Sequence, residues 1–115
     1  MAVEREDRVL ILKRKIMGPR GSHGFKHGTF YDIFIEGKKA SVGFVGYESA
    51  GYLKVFIKPQ HRRKGIAIQA EDQLAKQEGF EMWVTDINRD NLNSVVAHTK
   101  GGFVPAGDDF YIKEY

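Results

Sequence analysis

Lys58-Pro59-Gln60-His61-Arg62-Arg63-Lys64-Gly65-Ile66-Ala67 joins an apolar run, Leu53 with Val55, Phe56 and Ile57, to a stretch that continues from Ile66 to Glu78 without Gly or Pro. The first run reads as a buried strand and the second as a helix, so Arg62 to Gly65 fall at a helix N-terminus. The first N–H groups of a helix have no partner within it, and the aligned peptide dipoles leave positive charge there. Gly65 lets the backbone approach a ligand closely, while Arg62, Arg63 and Lys64 add formal charge. Together they suit a pyrophosphate better than a single carboxylate. The competing reading is a solvated basic helix start.

The 115 residues, 42% hydrophobic and 29% charged, make one domain over 1–115 with a single core. With no cysteine, a disulfide scaffold, a thiolate metal site and a cysteine nucleophile are excluded, and a reducing compartment is the default expectation. No apolar run approaches the roughly 20 residues that span a bilayer, and Met1 to Asp7 is charged rather than signal-like. The chain is therefore expected to be soluble and cytoplasmic, away from membranes. A net charge of +3 is too small to indicate nucleic-acid binding by itself and is equally explained by a phosphate-bearing ligand.

Around the opening stretch, Val9 to Ile16 reads as an edge strand that turns basic at Lys13, Arg14 and Lys15. Gly18 to Gly28 is a Gly-rich loop without periodicity. Thr29 to Ile35 and Ala40 to Tyr47 are β-rich runs joined by the hairpin signature Glu36-Gly37-Lys38-Lys39, and Tyr52 to Ile57 extends them into an antiparallel meander. The helix Ile66 to Glu78 places Ala67, Ala70 and Leu74 on one side and an Asp72–Lys76 pair on the surface, and stops at Gly79. Phe80 to Ile87 returns as a strand, with Trp83, Met82 and Val84 as core. Asn91 caps a second helix whose apolar face is Leu92, Val95, Val96 and Thr99 and which ends at Gly101-Gly102; Phe103 to Tyr115 closes the sheet. The order is ββββαβαβ, an α+β class with a mixed, mostly antiparallel sheet and two main helices.

These residues resemble the GNAT-superfamily N-acetyltransferases, which bind acetyl-coenzyme A. The family's Arg/Gln-x-x-Gly-x-Gly/Ala pyrophosphate loop corresponds to Arg62, Gly65 and Ala67, with Pro59 ahead of it. Its strand-then-Asn pattern corresponds to Ile87 and Asn91, and its basic residue and Gly-Phe after the helix to Lys100 and Gly102-Phe103. The hairpin from Ile35 to Val45 is similar to the family's second and third strands. The match runs from about Thr29 to the C-terminus.

The resemblance implies a cofactor, acetyl-coenzyme A, held by N–H groups of Arg63, Lys64, Gly65, Ile66 and Ala67 beside Arg62, by the open side of Val55, Phe56 and Ile57, and by the Asn91 region. A backbone N–H near Val55 to Ile57 would stabilise the negative charge that develops on the acetyl oxygen as an amine attacks directly. The chain departs from the family in three places. His98 stands where a Tyr commonly protonates the departing thiolate, four residues after Ser94, and is the expected acid; the competing reading is a half-exposed helix histidine packed beside Val95. The customary Glu before the loop is missing and leaves Glu48 as the nearest candidate base, although a turn carboxylate is more often simply solvated. The helix pair that walls the acceptor site is replaced by the loop Gly18 to Gly28, which favours a large acceptor, such as a protein lysine or N-terminus, over a small polyamine.

The acetyltransferase reading competes with that of a non-catalytic domain of the same fold that binds coenzyme A, a protein or nucleic acid. His23 and His27 have a metal-like spacing but no carboxylate or cysteine close in sequence, so no metal site is expected. The basic residues Lys58 to Lys64 lack interleaved aromatics, which argues against a nucleic-acid partner. Exposed sheet edges in so short a chain predict a homodimer.

Overall fold

The computed structural model describes residues 8–15, 28–48 and 51–115 of the chain. Strands β1 (Leu10–Lys15), β2 (Thr29–Ile35), β3 (Gly43–Tyr47) and β4 (Leu53–Ile57) form the antiparallel meander in that order. The two-residue period of a strand puts Leu10, Tyr31, Ile33, Val45, Leu53 and Ile57 on one face. That face packs on helix α1 (Ile66–Glu78) through Ile66, Ala70, Leu74 and Ala75. The opposite face carries an aromatic row in which Phe30 meets Phe44 edge-on at 5.8 Å and Phe44 stacks on Phe56 at 5.8 Å. Gly46 is dictated by this row, because a Cβ there would run into the Thr29 carbonyl and the Phe30 ring.

After α1 come β5 (Met82–Asp86), helix α2 (Leu92–Lys100), β6 (Val104–Pro105) and β7 (Phe110–Glu114). They build a second, antiparallel sheet in the order β5-β7-β6. The two sheets meet through one parallel bridge, Tyr52 to Val84, where the Val84 N–H donates to the Gly51 carbonyl at 2.6 Å. The parallel part of the expected mixed sheet is confined to this bridge, beyond which β4 and β5 part. Trp83 is fully buried at the junction and donates its indole N–H to the Glu71 carbonyl of α1 at 2.8 Å.

Several expectations are corrected. The run from Ala40 enters its strand only at Gly43, because the Ser41 hydroxyl donates to the Gly43 carbonyl and accepts from its N–H, folding the backbone locally. The last segment is two strands, divided by a turn in which the Phe110 N–H donates to the Gly107 carbonyl. Met82 is exposed rather than core, since alternation along β5 points Trp83 and Thr85 inward instead. Asp72 turns to β7, where Lys113 Nζ and the Tyr115 hydroxyl both donate to its Oδ1 at 2.8 and 2.7 Å, rather than pairing with Lys76. The largest correction concerns α2. Its expected apolar face is turned outward, with Leu92 68% and Val96 51% exposed, and the residue it buries is His98. No described helix is long and apolar enough to cross a membrane.

Candidate active site

The stretch between β4 and α1 folds as a 3-10 turn (Pro59–His61), followed by Arg62 in extended conformation and then two left-handed residues, Arg63 (φ 65°) and Gly65 (φ 76°). A left-handed arginine costs about 1–2 kcal/mol, so the loop is held by its surroundings. Arg62 Nε donates to the Ile57 carbonyl at 2.7 Å and the guanidinium lies 5.4 Å over the Phe56 ring. Arg8 donates to the Lys64 carbonyl at 2.7 Å, and the Gln69 amide of α1 donates to the Arg8 carbonyl at 2.9 Å. Between these braces the Gln69 N–H makes a bond to the Gly65 carbonyl at 3.1 Å. The N–H groups of Ile66, Ala67 and Ile68, ahead of it, have no acceptor within the helix. Arg62 thus braces the loop, while the exposed Arg63 and Lys64 supply charge around the unpaired N–H groups.

The register of β4 decides which of its groups face outward. Glu48 N–H bonds to the Tyr52 carbonyl and Lys58 N–H to the Val42 carbonyl. Because hydrogen-bonded pairs alternate in an antiparallel ladder, Phe44 with Phe56 and Gly46 with Lys54 bond across to β3. Leu53, Val55 and Ile57 therefore aim their backbone N–H and carbonyl groups the other way, toward the gap beside β5. The Leu53 carbonyl accepts from Thr85 Oγ1 at 3.3 Å and the Ile57 carbonyl accepts from Arg62, as this parity requires. Of the three expected β4 residues, Val55 and Ile57 present backbone to the gap, and Phe56 is paired with Phe44.

The gap holds a cavity of about 170 Å³ lined by Leu53, Lys54, Val55, Thr85, Asp86, Ile87, Asn88, Asn91, Ser94 and His98. A larger open groove of about 420 Å³, lined by Asp72, Lys76, Phe80, Lys113 and Tyr115, shares none of these residues. It contains the already bonded Asp72, and no residue of the loop or of β4 lines it.

His98 reaches the cavity from α2 and is 4% exposed. Its Nδ1 lies 2.8 Å from the Ser94 carbonyl and 3.2 Å from Ser94 Oγ, and its Nε2 lies 2.8 Å from Oε2 of Glu71, which is fully buried on α1. Burial by itself lowers the imidazole pKa, but the bond to Glu71, its charge and the Ser94 carbonyl more than reverse this, so His98 titrates above its ordinary value. Burial raises Glu71, with His98 opposing the rise. Asn91, expected at the cofactor, caps α2 by accepting the Ser94 N–H at 3.3 Å and also lines the cavity.

The sequence matches no protein-family model and no curated protein. Solved structures do match. A spermidine N-acetyltransferase chimera from Vibrio cholerae superposes with a TM-score of 0.71 at 11% identity, over 91% of this chain and 95% of that one. A streptothricin acetyltransferase from Bacillus anthracis in complex with acetyl-coenzyme A gives 0.62 at 12%, over 95% and 88%. A GCN5-related N-acetyltransferase from Rhodopseudomonas palustris gives 0.59 at 15%, over 76% of this chain but only 62% of that protein's length. The chain has the GNAT acetyltransferase fold.

In the GNAT fold of this chain, the loop Arg62 to Ala67, the outward edge at Val55 and Ile57, and the cavity at Asn91, Ser94 and His98 are successive parts of one region. Glu48 is exposed in the β3–β4 turn and does not line the cavity. The carboxylate at the cavity is Asp86, which accepts from the Tyr52 hydroxyl at 3.0 Å and has Lys54 Nζ at 3.5 Å. Two functional candidates were therefore missed in the sequence, Asp86 and Glu71. Glu71 carried a signal, since it falls between Ala70 and Leu74 on the buried stripe of α1, where a carboxylate requires a partner. Asp86 carried none, because its place depends on where β4 and β5 separate. Among the described residues no three His, Asp or Glu side chains cluster as metal ligands; His23, His27 and the rest of the loop from Gly18 to His27 lie outside those residues.

Proposed function

We propose that the chain is an acetyl-coenzyme A-dependent N-acetyltransferase acting on a primary amine. The observation that carries this reading is the continuity of a helix-start anion site, an outward-facing strand edge and a polar cavity. These suit in turn a pyrophosphate, an extended amide-bearing arm and a reacting thioester. The N–H groups of residues 63–68 are donors of the right kind for the pyrophosphate, and Val55 offers both a donor and an acceptor to an amide. Acetyl-coenzyme A supplies the acetyl group as an activated thioester. Holding the amine beside it provides much of the acceleration by proximity. Asp86 attracts the ammonium form of the acceptor to the cavity, where the ammonium gives its first proton to water to become the attacking amine. Asp86 takes the second proton, lost as the carbon–nitrogen bond forms; Glu48 lies in the turn, away from the cavity lining.

The test is to incubate the chain with acetyl-coenzyme A and a panel of peptides, protein lysines and small amines, following thiol release beside a calorimetric titration of coenzyme A. Turnover on at least one amine is expected, with Asp86→Asn lowering kcat/KM by about a hundredfold. Binding without turnover on any acceptor would instead support a coenzyme A-binding domain without catalysis.

A further inference from the structure

We propose that Ser94 delivers the proton to the departing sulfur, with His98 and Glu71 as positioning residues behind it; this rests on the acetyltransferase reading above. The inference follows from what His98 Nδ1 faces. At 2.8 Å from the Ser94 carbonyl, an acceptor only, Nδ1 must carry a hydrogen, because a bare nitrogen there would oppose one lone pair to another. The same N–H is 3.2 Å from Ser94 Oγ, so it occupies a lone pair of the hydroxyl. The Ser94 hydroxyl then has its own hydrogen left to donate, and the cavity is the space it borders. This holds whether the second proton of the pair sits on Nε2 or on Glu71 Oε2, since either satisfies the 2.8 Å bond between them. His98 itself has both nitrogens engaged and is 4% exposed, so a ligand in the cavity meets the serine hydroxyl first.

The step balances without a further reactant. As the amine nitrogen bonds to the acetyl carbon, the carbon–sulfur bond breaks with its electron pair on sulfur. Ser94 Oγ–H passes its proton to that sulfur while taking the Nδ1 proton of His98, and Asp86 takes the proton lost by the amine. Where the pair's second proton began on Glu71 Oε2, it crosses the 2.8 Å bond to Nε2 in the same step, so that His98 ends as the neutral Nε2–H imidazole in either case. His98 is left with a bare Nδ1 against the Ser94 carbonyl, an arrangement that draws a proton back from solvent and resets the relay. Glu71 from α1 and Ser94 from its own helix bear on His98 directly; Asp72 and Lys113 bear on Glu71, Asp86 and Lys54 line the same cavity, and the Phe103 ring lies 5.0 Å from the imidazole, edge to face.

Ser94→Ala tests the relay cleanly, because alanine favours a helix and leaves the backbone carbonyl, and with it the His98–Glu71 pair, in place. The thiol of bound coenzyme A is titrated by its thiolate absorbance. In the wild type the hydroxyl donor is expected to lower the thiol pKa from its ordinary value of about 8.5. Ser94→Ala should raise it again by about one unit, with coenzyme A affinity at neutral pH little changed, and Ser94→Thr should keep the low value. On an acceptor that turns over, Ser94→Ala should reduce kcat by about a hundredfold without changing KM for acetyl-coenzyme A, and Ser94→Thr should restore much of it. Equal thiol pKa values in wild type and Ser94→Ala would overturn the relay and leave the acetyltransferase reading standing. A failure of the wild type to bind coenzyme A would overturn both.

Discussion

Gly65→Asp is expected to lower coenzyme A affinity by about a hundredfold or more while the chain remains folded. Placing like charges together in a binding site costs several kcal/mol, and each 1.4 kcal/mol is tenfold. The carboxylate would stand where Gly65, at φ 76°, opens the loop between Lys64 and the first unpaired N–H groups of α1. Aspartate is among the residues that tolerate a left-handed backbone, so the cost to folding is modest, on the order of 1 kcal/mol. Gly65→Asn separates charge from bulk, having the same size and backbone tolerance without the charge. It should lose only part of the affinity. Arg62→Ala should weaken binding less than Gly65→Asp, acting through the brace to the Ile57 carbonyl rather than through a lost contact to phosphate. Calorimetric titration of the three folded variants ranks them, and equal affinity for wild type and Gly65→Asp would contradict the cradle.

The second large effect lies in the core. Glu71→Leu should destabilise the chain by about 3–5 kcal/mol, because removing one partner of a buried pair leaves the other, His98, enclosed and uncompensated. The double variant Glu71→Leu with His98→Leu should regain much of that loss, since apolar replacement of a whole buried pair is often nearly neutral. Chemical denaturation of the two single variants and the double closes the cycle. If the losses simply add, the pair does not act as a unit.

The same pair makes stability depend on pH. His98 is raised in the folded chain, so its contribution is complete below its unfolded value of about 6.5 and is lost as pH rises through the folded value. Glu71 is also raised, so its ionisation as pH climbs above about 4.3 favours the unfolded chain in the same sense. Glu78 works oppositely, held low chiefly by the Tyr47 hydroxyl, but it is exposed enough for solvent to weaken its part. Stability measured from pH 5 to 9, on the order of the window these values span, should therefore fall more steeply with rising pH in the wild type than in the double variant.

Why the fold was legible in so few residues is clear from the elements themselves. The bounds of α1, Ile66 to Glu78, follow from glycine at both ends and none between, and the meander follows from period-two apolar runs separated by turn residues. These are local signals. The helix start is local too, with Gly65 as the N-cap ahead of Ile66, whereas the bracing role of Arg62 depends on the Ile57 carbonyl and the Phe56 ring. The outward turn of helix α2 is not written in its apolar spacing. Phe103, His98 and the facing stripe of α1 fill the space against it, so Leu92 and Val96 remain outside. The His98–Glu71 pair spans 27 positions and two helices, and Asp86 meets Tyr52 only because two sheets join at a single bridge. Contacts of that kind are set by packing and leave no spacing to read in one sequence.

Amide chemical-shift mapping of the nitrogen-15-labelled chain during titration with coenzyme A tests the site most directly, because it reports both whether the ligand binds and where. The largest shifts are expected at the N–H groups of Arg63 to Ile68 and at Val55, with smaller ones at Asn91 and Ser94 around the cavity, and with Gly65→Asp abolishing them at the same ligand concentration. Shifts confined to the groove at Asp72, Lys76 and Lys113, or no shifts at all in the wild type, would contradict a coenzyme A site built on the start of α1 and the open edge of β4.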